Sequence, residues 1–335
     1  MNDLLAGLLS ALLSTNQTAA ASNLLAKHTG IQLKIASDPL TLELKRLMDM
    51  DDQAREEIDE MLQKEQGPKP DQPEIKKLTT DTVIEKKLDA VKNAYDDFIA
   101  KHPSYAKARI AYGAFLNEIS HEDAALAQWL KAKELDPSDP AVWNNLGDYY
   151  GHNGPVTNAL IHYAKAIQLN PEEPTYYWNL GTVMYQYRHA SGTFLNKEPI
   201  KVMDDAMALY RKALQLSPNN FLLSADYAQS FYGFPKPATS DPAADSKTLR
   251  QRADLALAAW TNAYLLARDD VERQGVQIHY ARWTMDTGRF AESQAALNAV
   301  TNLMFKTTKD TLLKKMARME SKATNAPASP SAPIR

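Results

Sequence analysis

The residues with the greatest capacity for chemistry are seven histidines, and their spacing does not suggest a metal or catalytic site. None lies four residues from another, so the His-x3-His and His-Glu-x2-His patterns of helical zinc sites do not occur. His152 and His162 could approach each other across one helical turn, but two surface histidines beside a turn are the favoured interpretation. We therefore predict no metal site and no cofactor. The seven are His28, His102, His121, His152, His162, His189 and His279.

Other catalytic patterns are also missing from the sequence. Neither Gly-x-Gly-x-x-Gly nor Gly-x4-Gly-Lys occurs, so no loop is expected to hold a phosphate group. The carboxylate pairs Asp204-Asp205 and Asp269-Asp270 are expected at helix starts, where they would accept hydrogen bonds from free backbone amides. The chain has no cysteine, which excludes disulfides, thiolate metal sites and cysteine nucleophiles. No nucleophile, base and oxyanion donor assemble, so we predict that the chain is not an enzyme and has no catalytic residues.

Composition and charge limit the classes of partner. With 335 residues, 44% of them hydrophobic, the chain is long enough for one elongated array and a smaller appendage. No apolar run reaches the roughly 18–20 residues of a membrane span. The formal net charge of −3 gives no general attraction to nucleic acid. The acidic stretch 49–60 and the basic stretch 306–322 are interpreted as solvated helix faces.

The elements that organise the chain are indicated by a repeat. Gly113, Gly147 and Gly181 lie thirty-four residues apart, and Pro137 and Pro171 keep the same spacing. A fixed period of about 34 residues is typical of a solenoid built from helix–turn–helix units.

One copy of the pattern is nearly complete. It reads Trp143-x2-Leu146-Gly147-x2-Tyr150…Ala159-x3-Tyr163-x2-Ala166…Pro171 and closely resembles the tetratricopeptide repeat. The resemblance covers roughly residues 82–307. It implies an all-α fold, a superhelical solenoid of antiparallel helix pairs A and B, and a function as a protein-binding scaffold.

The landmark residues of the pattern are interpreted as contacts between helices A and B. Glycine inside a helix costs about 1 kcal/mol relative to alanine. That cost is explained if the absent side chain lets helix B approach closely. The predicted packing residues are Gly113, Trp129, Trp143, Gly147, Tyr163, Gly181, Tyr210 and Trp260.

The predicted domain organisation places the repeats between two smaller regions. An N-terminal helical appendage (1–65) and a polar, proline-rich linker (66–81) precede the solenoid at 82–307, and a capping helix (308–322) and a disordered tail (323–335) follow it. Within the solenoid we predict a half repeat at 82–103 and repeats at about 106–139, 140–173, 174–220, 221–270 and 274–307.

Two repeats contain insertions between helices A and B. The segments 187–202 and 233–248 are expected to project from the edge of the array, because insertions in a solenoid go to the turns between helices. Loops of this length either bind something or are disordered, and the sequence does not distinguish the two outcomes.

The N-terminus allows two interpretations. Leu4-Leu5, Leu8-Leu9 and Leu12-Leu13 would form an apolar stripe on one helix, which would pack with 22–26 and 40–62. Residues 1–21 also resemble the apolar region of a signal peptide, which would export the protein, to the periplasm for example. Because no Lys or Arg precedes Lys27, we favour the packed helix and a cytoplasmic location.

The resemblance also implies where a partner would bind. In tetratricopeptide arrays the A helices line a concave groove. The corresponding positions here are Asn144, Asp148, His152, Trp178, Thr182, Tyr185, Gln186, Gln229, Tyr232 and Arg282. Trp178 is distinctive because Tyr177 already occupies the packing position, and adjacent helix residues point about 100° apart. We expect either an exposed tryptophan of the kind found in binding hot spots or one covered by the insertion 187–202.

The sequence therefore predicts a non-enzymatic scaffold that binds a peptide or helix of a partner protein in this groove. The alternative is a structural subunit that forms homo-oligomers through the leucine stripe of residues 1–20. Light scattering with and without the N-terminal region would separate the two.

Overall fold

The computed structural model describes residues 38–65, 73–237 and 240–324, and within these ranges all regular structure is helical, with no β-strand. The prediction of an all-α fold is confirmed for this part of the chain. The chain divides between Pro171 and Glu172 into two compact units. Unit 1 contains helices α1 (Pro39–Glu65), α2 (Pro73–Lys101), α3 (Ala106–Glu118), α4 (Glu122–Leu135), α5 (Pro140–Asn153) and α6 (Val156–Leu169). Unit 2 contains α7 (Pro174–Gln186), α8 (Arg188–Leu195), α9 (Pro199–Leu216), α10 (Phe221–Ser230), α11 (Pro242–Leu266), α12 (Asp270–Asp286), α13 (Phe290–Ala299) and α14 (Lys306–Thr324).

Proline starts several of these helices. Pro140 and Pro174 are the first residues of α5 and α7, where the missing N–H is not needed for the helical hydrogen-bond pattern. The residue before each proline caps the helix: the carboxylate of Asp139 accepts a hydrogen bond from the amide of Ala141 at 2.9 Å. Local sequence thus determines where each of these A helices begins.

Unit 1 consists of three helix pairs, α1 with α2, α3 with α4, and α5 with α6. Leu44 and Leu47 of α1 are buried in the same core as Tyr95 of α2, whose ring stacks on that of Tyr112 at 5.0 Å. The predicted half repeat at 82–103 is therefore the second helix of a complete pair. The predicted linker 66–81 also needs correction, because α2 already begins at Pro73. Helix α2 packs on both α1 and α3.

Unit 2 begins with a helix pair that contains the first insertion. Helices α7 and α9 pack on each other, and residues 188–195 between them form the short helix α8. Ser191 and Leu195 are buried, and α8 packs mainly on α9. The expectation that 187–202 projects from the array is therefore wrong, since this segment buries side chains against its own repeat.

The second insertion mostly extends a helix. Helix α11 begins at Pro242, where the side chain of Asp241 accepts hydrogen bonds from the amides of Ala243 and Ala244. Residues 242–248 are helical rather than part of a loop, and only a short segment connects them to the 3₁₀ turn Phe231–Gly233 that follows α10. Residues 238–239 lie outside the described ranges.

The last elements differ slightly from the predicted bounds. Helix α12 begins at Asp270, four residues before the predicted repeat at 274–307, and α14 extends over Lys306–Thr324 where a helix at 308–322 was predicted. Asp269 caps α12 as expected, accepting a hydrogen bond from the amide of Glu272 at 2.8 Å. Asp204 and Asp205 do not start a helix, because α9 begins at Pro199; Asp205 pairs with Lys197 at 2.6 Å instead.

Several predictions fall on residues that the structure does not describe. The leucine stripe and possible signal peptide within residues 1–37, the segment 66–72 and the tail after Thr324 lie outside the described residues. None of the described helices is both long enough and apolar enough to span a membrane.

Candidate partner-binding face

The repeat glycines make room for different neighbours. The ring of Trp129 occupies the space where a side chain at Gly113 would begin, and a Cβ atom at Gly147 would lie 2.7 Å from the ring of Tyr163. At Gly181 the nearest atom is instead the backbone oxygen of Ala206, at 3.3 Å from such a Cβ. The glycine therefore accommodates an aromatic ring in the first two repeats and the helix backbone in the third.

Each of these aromatic side chains finds a polar partner on helix A. The indole nitrogen of Trp129 donates to the carbonyl oxygen of Ile110 at 3.2 Å. The hydroxyl of Tyr163 donates to Oδ1 of Asp148 at 2.5 Å, and the hydroxyls of Tyr210 and Thr182 lie 2.9 Å apart. Asp148 and Thr182 each directly follow the repeat glycine on helix A. In both repeats the residue at this position forms a hydrogen bond with the hydroxyl of the tyrosine on helix B.

The remaining packing tryptophans are held differently. Trp143 is half-buried; its indole nitrogen donates to the carbonyl oxygen of Pro137 at 2.8 Å, and Nζ of Lys133 lies 5.2 Å from its ring centroid. Trp260 is buried and stacks on His279, with 4.2 Å between ring centroids and 6° between ring planes.

In unit 1 the candidate groove residues lie four residues apart on α5. Asn144 is buried, and its amide nitrogen donates to Oδ2 of Asp148 at 3.1 Å. Burial raises the pKa of the Asp148 carboxyl, opposed by the Tyr163 hydrogen bond, by the charge of His152 and by the Asn144 hydrogen bond. The side-chain amide of Asn144 is thus bonded within its own helix, and its contact with a partner stays a prediction. His152 remains exposed.

The structure does not support a shared role for the two histidines near this helix. Nδ1 of His152 lies 2.9 Å from the carbonyl oxygen of Asp148, and Nδ1 of His162 lies 2.7 Å from that of Asn158. Each ring is therefore bonded to its own helix. Within residues 38–65, 73–237 and 240–324, no group of three or more metal-ligating side chains is close enough together to hold an ion.

In unit 2 the first candidate, Trp178, is joined to the next A helix. Its indole nitrogen donates to Oδ2 of Asp226 on α10 at 2.9 Å. The indole is half-buried, whereas Asp226 is exposed. The tryptophan is thus partly exposed and is held by α10, and its role as a binding hot spot stays a prediction.

Comparison with known proteins identifies one repeat of the array. A family model described as "Tetratricopeptide repeat" matches residues 140–173. The chain contains a tetratricopeptide repeat at these residues. In structure it resembles PilF of Pseudomonas aeruginosa, with a TM-score of 0.50 and 16% identity, over 73% of this chain and 95% of that one. This similarity supports the fold of the array.

Two further solved structures are similar over most of their length. YrrB, described as a TPR protein with an unusual peptide-binding site, has 16% identity and a TM-score of 0.47, over 67% of this chain and 97% of that chain. The C-terminal part of a TPR repeat-containing protein from Cytophaga hutchinsonii has 16% identity and a TM-score of 0.48, over 78% and 96%. No curated protein matches the sequence.

Further along the A helices of unit 2, Tyr185 connects α7 to the turn after α10. Its hydroxyl occupies the space where a side chain at Gly233 would begin, so only glycine fits there without a shift of Tyr185. Tyr185 is half-buried, while Gln186 and Gln229 are exposed and available to a ligand.

The last part of this face is an aromatic cluster between the turn after α10 and α12. The ring of Tyr232 stacks on Trp283 with centroids 4.9 Å apart, and its hydroxyl lies 3.3 Å from Nδ1 of His279. Burial, with a smaller contribution from the charge of Arg282, lowers the pKa of His279 to about 4. Tyr232 is still 36% exposed, so one side of its ring can be contacted from solvent.

Three residues of this face were not predicted from the sequence: Asp226, His279 and Trp283. His279 and Trp283 lie four residues apart on α12, and this spacing could have indicated a shared face. Nothing in the repeat pattern identifies Asp226, which lies 48 residues from Trp178.

Proposed function

We propose that the chain is an interaction scaffold that binds a peptide or helical segment of a partner protein on the A-helix face of unit 2. Tetratricopeptide repeat proteins are in general non-enzymatic interaction scaffolds, and solenoids bind along surfaces formed by successive repeats. The proposal rests mainly on the line of contacts that joins α7, α10 and α12 through Trp178, Tyr185 and Tyr232.

This line combines rigid aromatic groups with exposed polar ones. Trp178 and Tyr232 are each fixed by a neighbouring A helix yet keep part of their surface exposed. A preorganised aromatic side chain loses little conformational entropy on binding, which is why tryptophan and tyrosine are enriched in binding hot spots. The exposed amides of Gln186 and Gln229 can donate to and accept from the backbone of a partner.

In unit 1 the predicted groove residues support a smaller role. Asn144 and Asp148 are bonded to each other, and Tyr163 adds a further bond to Asp148. Only His152 of this set is exposed. We therefore assign the main contacts of the partner to unit 2.

The proposal can be tested with random peptides displayed on phage and selected on the full chain. A selected peptide would be titrated against the Gln229→Trp variant, in which a bulky side chain obstructs the A-helix face. Gln251→Trp is the matched control, because Gln251 is also an exposed glutamine of unit 2 but lies on helix α11. We expect the first variant to bind at least about tenfold more weakly and the control to bind normally. Equal binding by both variants would place the site elsewhere.

Homo-oligomer formation through residues 1–20 stays a prediction, because these residues lie outside the described ranges. It is the alternative function of the chain.

A further inference from the structure

The A-helix face of unit 2 carries an exposed carboxylate beside an indole ring. Asp226 lies on α10, and its Oδ2 accepts the hydrogen bond of the Trp178 indole nitrogen at 2.9 Å. This bond fixes the side chain of Asp226 next to the ring and leaves Oδ1 available for another donor.

Hydroxyl groups from three helices lie around Tyr210, whose pKa is raised by burial and by the charge of Asp226. The hydroxyls of Thr182 on α7 and Tyr210 on α9 are 2.9 Å apart. Ser230 donates to the carbonyl oxygen of Asp226 at 2.8 Å. Burial raises the pKa of Tyr210, and the negative charge of Asp226 contributes in the same direction, while hydrogen bonds with Thr182 and Ser230 oppose it. The Asp226 carboxylate is therefore close enough to Tyr210 for its charge to contribute to the raised pKa of that hydroxyl, while Ser230 contacts the main-chain carbonyl oxygen of Asp226.

The charge of Asp226 is not neutralised within the described part of the chain. Two other exposed aspartates of unit 2 each have a cationic partner: Asp254 pairs with Arg289, and Asp286 pairs with Lys315. No Lys or Arg in the described ranges forms an ion pair with Asp226, and its strongest polar contact there is the neutral indole of Trp178. Burial raises the pKa of Asp226, because its surroundings partly exclude water.

We propose that Asp226 and Trp178 together bind a basic side chain, arginine or lysine, of the partner segment. This inference rests on the proposed function and names the chemistry of its ligand. A cation placed over the indole face gains cation–π energy, and a hydrogen bond from the same group to the carboxylate is charge-assisted. An arginine would use both contacts best, because its planar guanidinium can stack on the ring while it donates to Oδ1 of Asp226.

The test uses the full chain and phage-displayed random peptides. We expect the peptides selected on the wild type to share a basic residue at one position. The Asp226→Asn variant, whose amide oxygen can still accept from Trp178, should bind such a peptide at least about tenfold more weakly. Replacing the basic residue of the peptide by glutamine should weaken binding to the wild type but hardly change binding to Asp226→Asn. Asp204→Asn is the matched control, since Asp204 is an exposed aspartate of the same unit on helix α9.

The outcomes separate this inference from the proposed function. Selected peptides that bind the A-helix face without a fixed basic residue would overturn the assignment of Asp226 and leave the scaffold function intact. Basic peptides that bind Asp226→Asn as well as wild type would also overturn it. If no peptide is selected on the chain, both proposals fail. Circular dichroism melting curves of Asp226→Asn that match the wild type show that a loss of binding is not a loss of fold.

Discussion

The hydroxyl of Tyr163 lies 2.5 Å from Oδ1 of Asp148, so helix B of this repeat is bonded to the residue that follows the repeat glycine on helix A. The ring of the same tyrosine occupies the space left by Gly147. Thr182 and Tyr210 repeat the hydroxyl contact in unit 2. The repeat glycine and the polar residue after it therefore have complementary roles. The glycine leaves space for the aromatic ring, and the polar side chain forms a hydrogen bond with the hydroxyl of that ring.

Replacing Gly147 by alanine should lower the free energy of unfolding by about 1–3 kcal/mol, because the new methyl group would overlap the ring of Tyr163 in a closely packed contact. Leucine at this position should cost more. Gly275→Ala is the matched control: the nearest atom to its Cβ would be 3.6 Å away, and alanine is favoured over glycine in a helix by about 1 kcal/mol. Chemical denaturation measures both. Equal effects of the two substitutions would refute the close contact at Gly147.

Tyr163→Phe removes the donor to Asp148 while keeping the ring. We expect a loss of about 1–3 kcal/mol in the free energy of unfolding, since a half-buried carboxylate loses a hydrogen bond. Tyr149→Phe provides the comparison, because Tyr149 lies on α5 next to Asp148 and packs by its ring edge on Tyr150. That variant should stay within about 0.5 kcal/mol of the wild type. A Tyr163→Phe protein as stable as the wild type would mean that the hydroxyl bond contributes nothing.

Trp178→Ala should destabilise the protein by an intermediate amount, because the indole is half-buried and bonded to Asp226. We expect about 1–3 kcal/mol, less than the roughly 3–5 kcal/mol of a fully buried tryptophan. Trp129→Ala, at 2% exposure, gives the fully buried reference in the same denaturation experiment. If the two losses are equal, Trp178 is a core residue, and its role in partner binding is not supported.

The stability of the protein should depend on His279 between about pH 6.5 and pH 4. The pKa of His279 is lowered to about 4 in the folded chain, against about 6.5 in an unfolded one. Between pH 6.5 and pH 4 the histidine is protonated in the unfolded chain but neutral in the folded chain. The stability that His279 contributes is therefore fully present above pH 6.5 and is lost as the pH falls to 4. The loss is on the order of 3 kcal/mol.

His279→Phe keeps a ring against Trp260 but cannot titrate. Urea titrations of both proteins at several pH values give the difference in unfolding free energy, in which contributions from other groups cancel. We expect this difference to change between pH 6.5 and 4 and to be constant above pH 7. A difference that does not vary with pH would contradict the buried neutral histidine.

The alternative function predicts that removing residues 1–37 changes the mass of the protein in solution. The truncation stops before α1, because Leu44 and Leu47 belong to the core of unit 1 and removing them would damage the fold. Light scattering on the full and shortened chains gives the two masses. A full chain that is already monomeric would exclude self-association through the leucine stripe.

The sequence determined the repeat and most of its internal contacts. A spacing of sixteen residues joins Gly113 to Trp129 and Gly147 to Tyr163, and both pairs are in contact. These contacts are predictable because each repeat packs mainly within itself and on its neighbours, so that local spacing fixes which side chains meet. The helix starts at Pro140 and Pro174 follow from local sequence for the same reason.

Only the tertiary structure decided which A-helix residues remain accessible. The bond between Trp178 and Asp226, and the stacking of Tyr232 on Trp283, join residues about fifty apart across insertions of irregular length. Their pairing depends on how successive helix pairs stack, which no periodic pattern specifies. The sequence also did not show that α1 completes a pair with α2, or that residues 188–195 fold into α8. Each of these helices buries apolar side chains against a neighbouring helix, and this packing is a tertiary contact outside the repeat pattern.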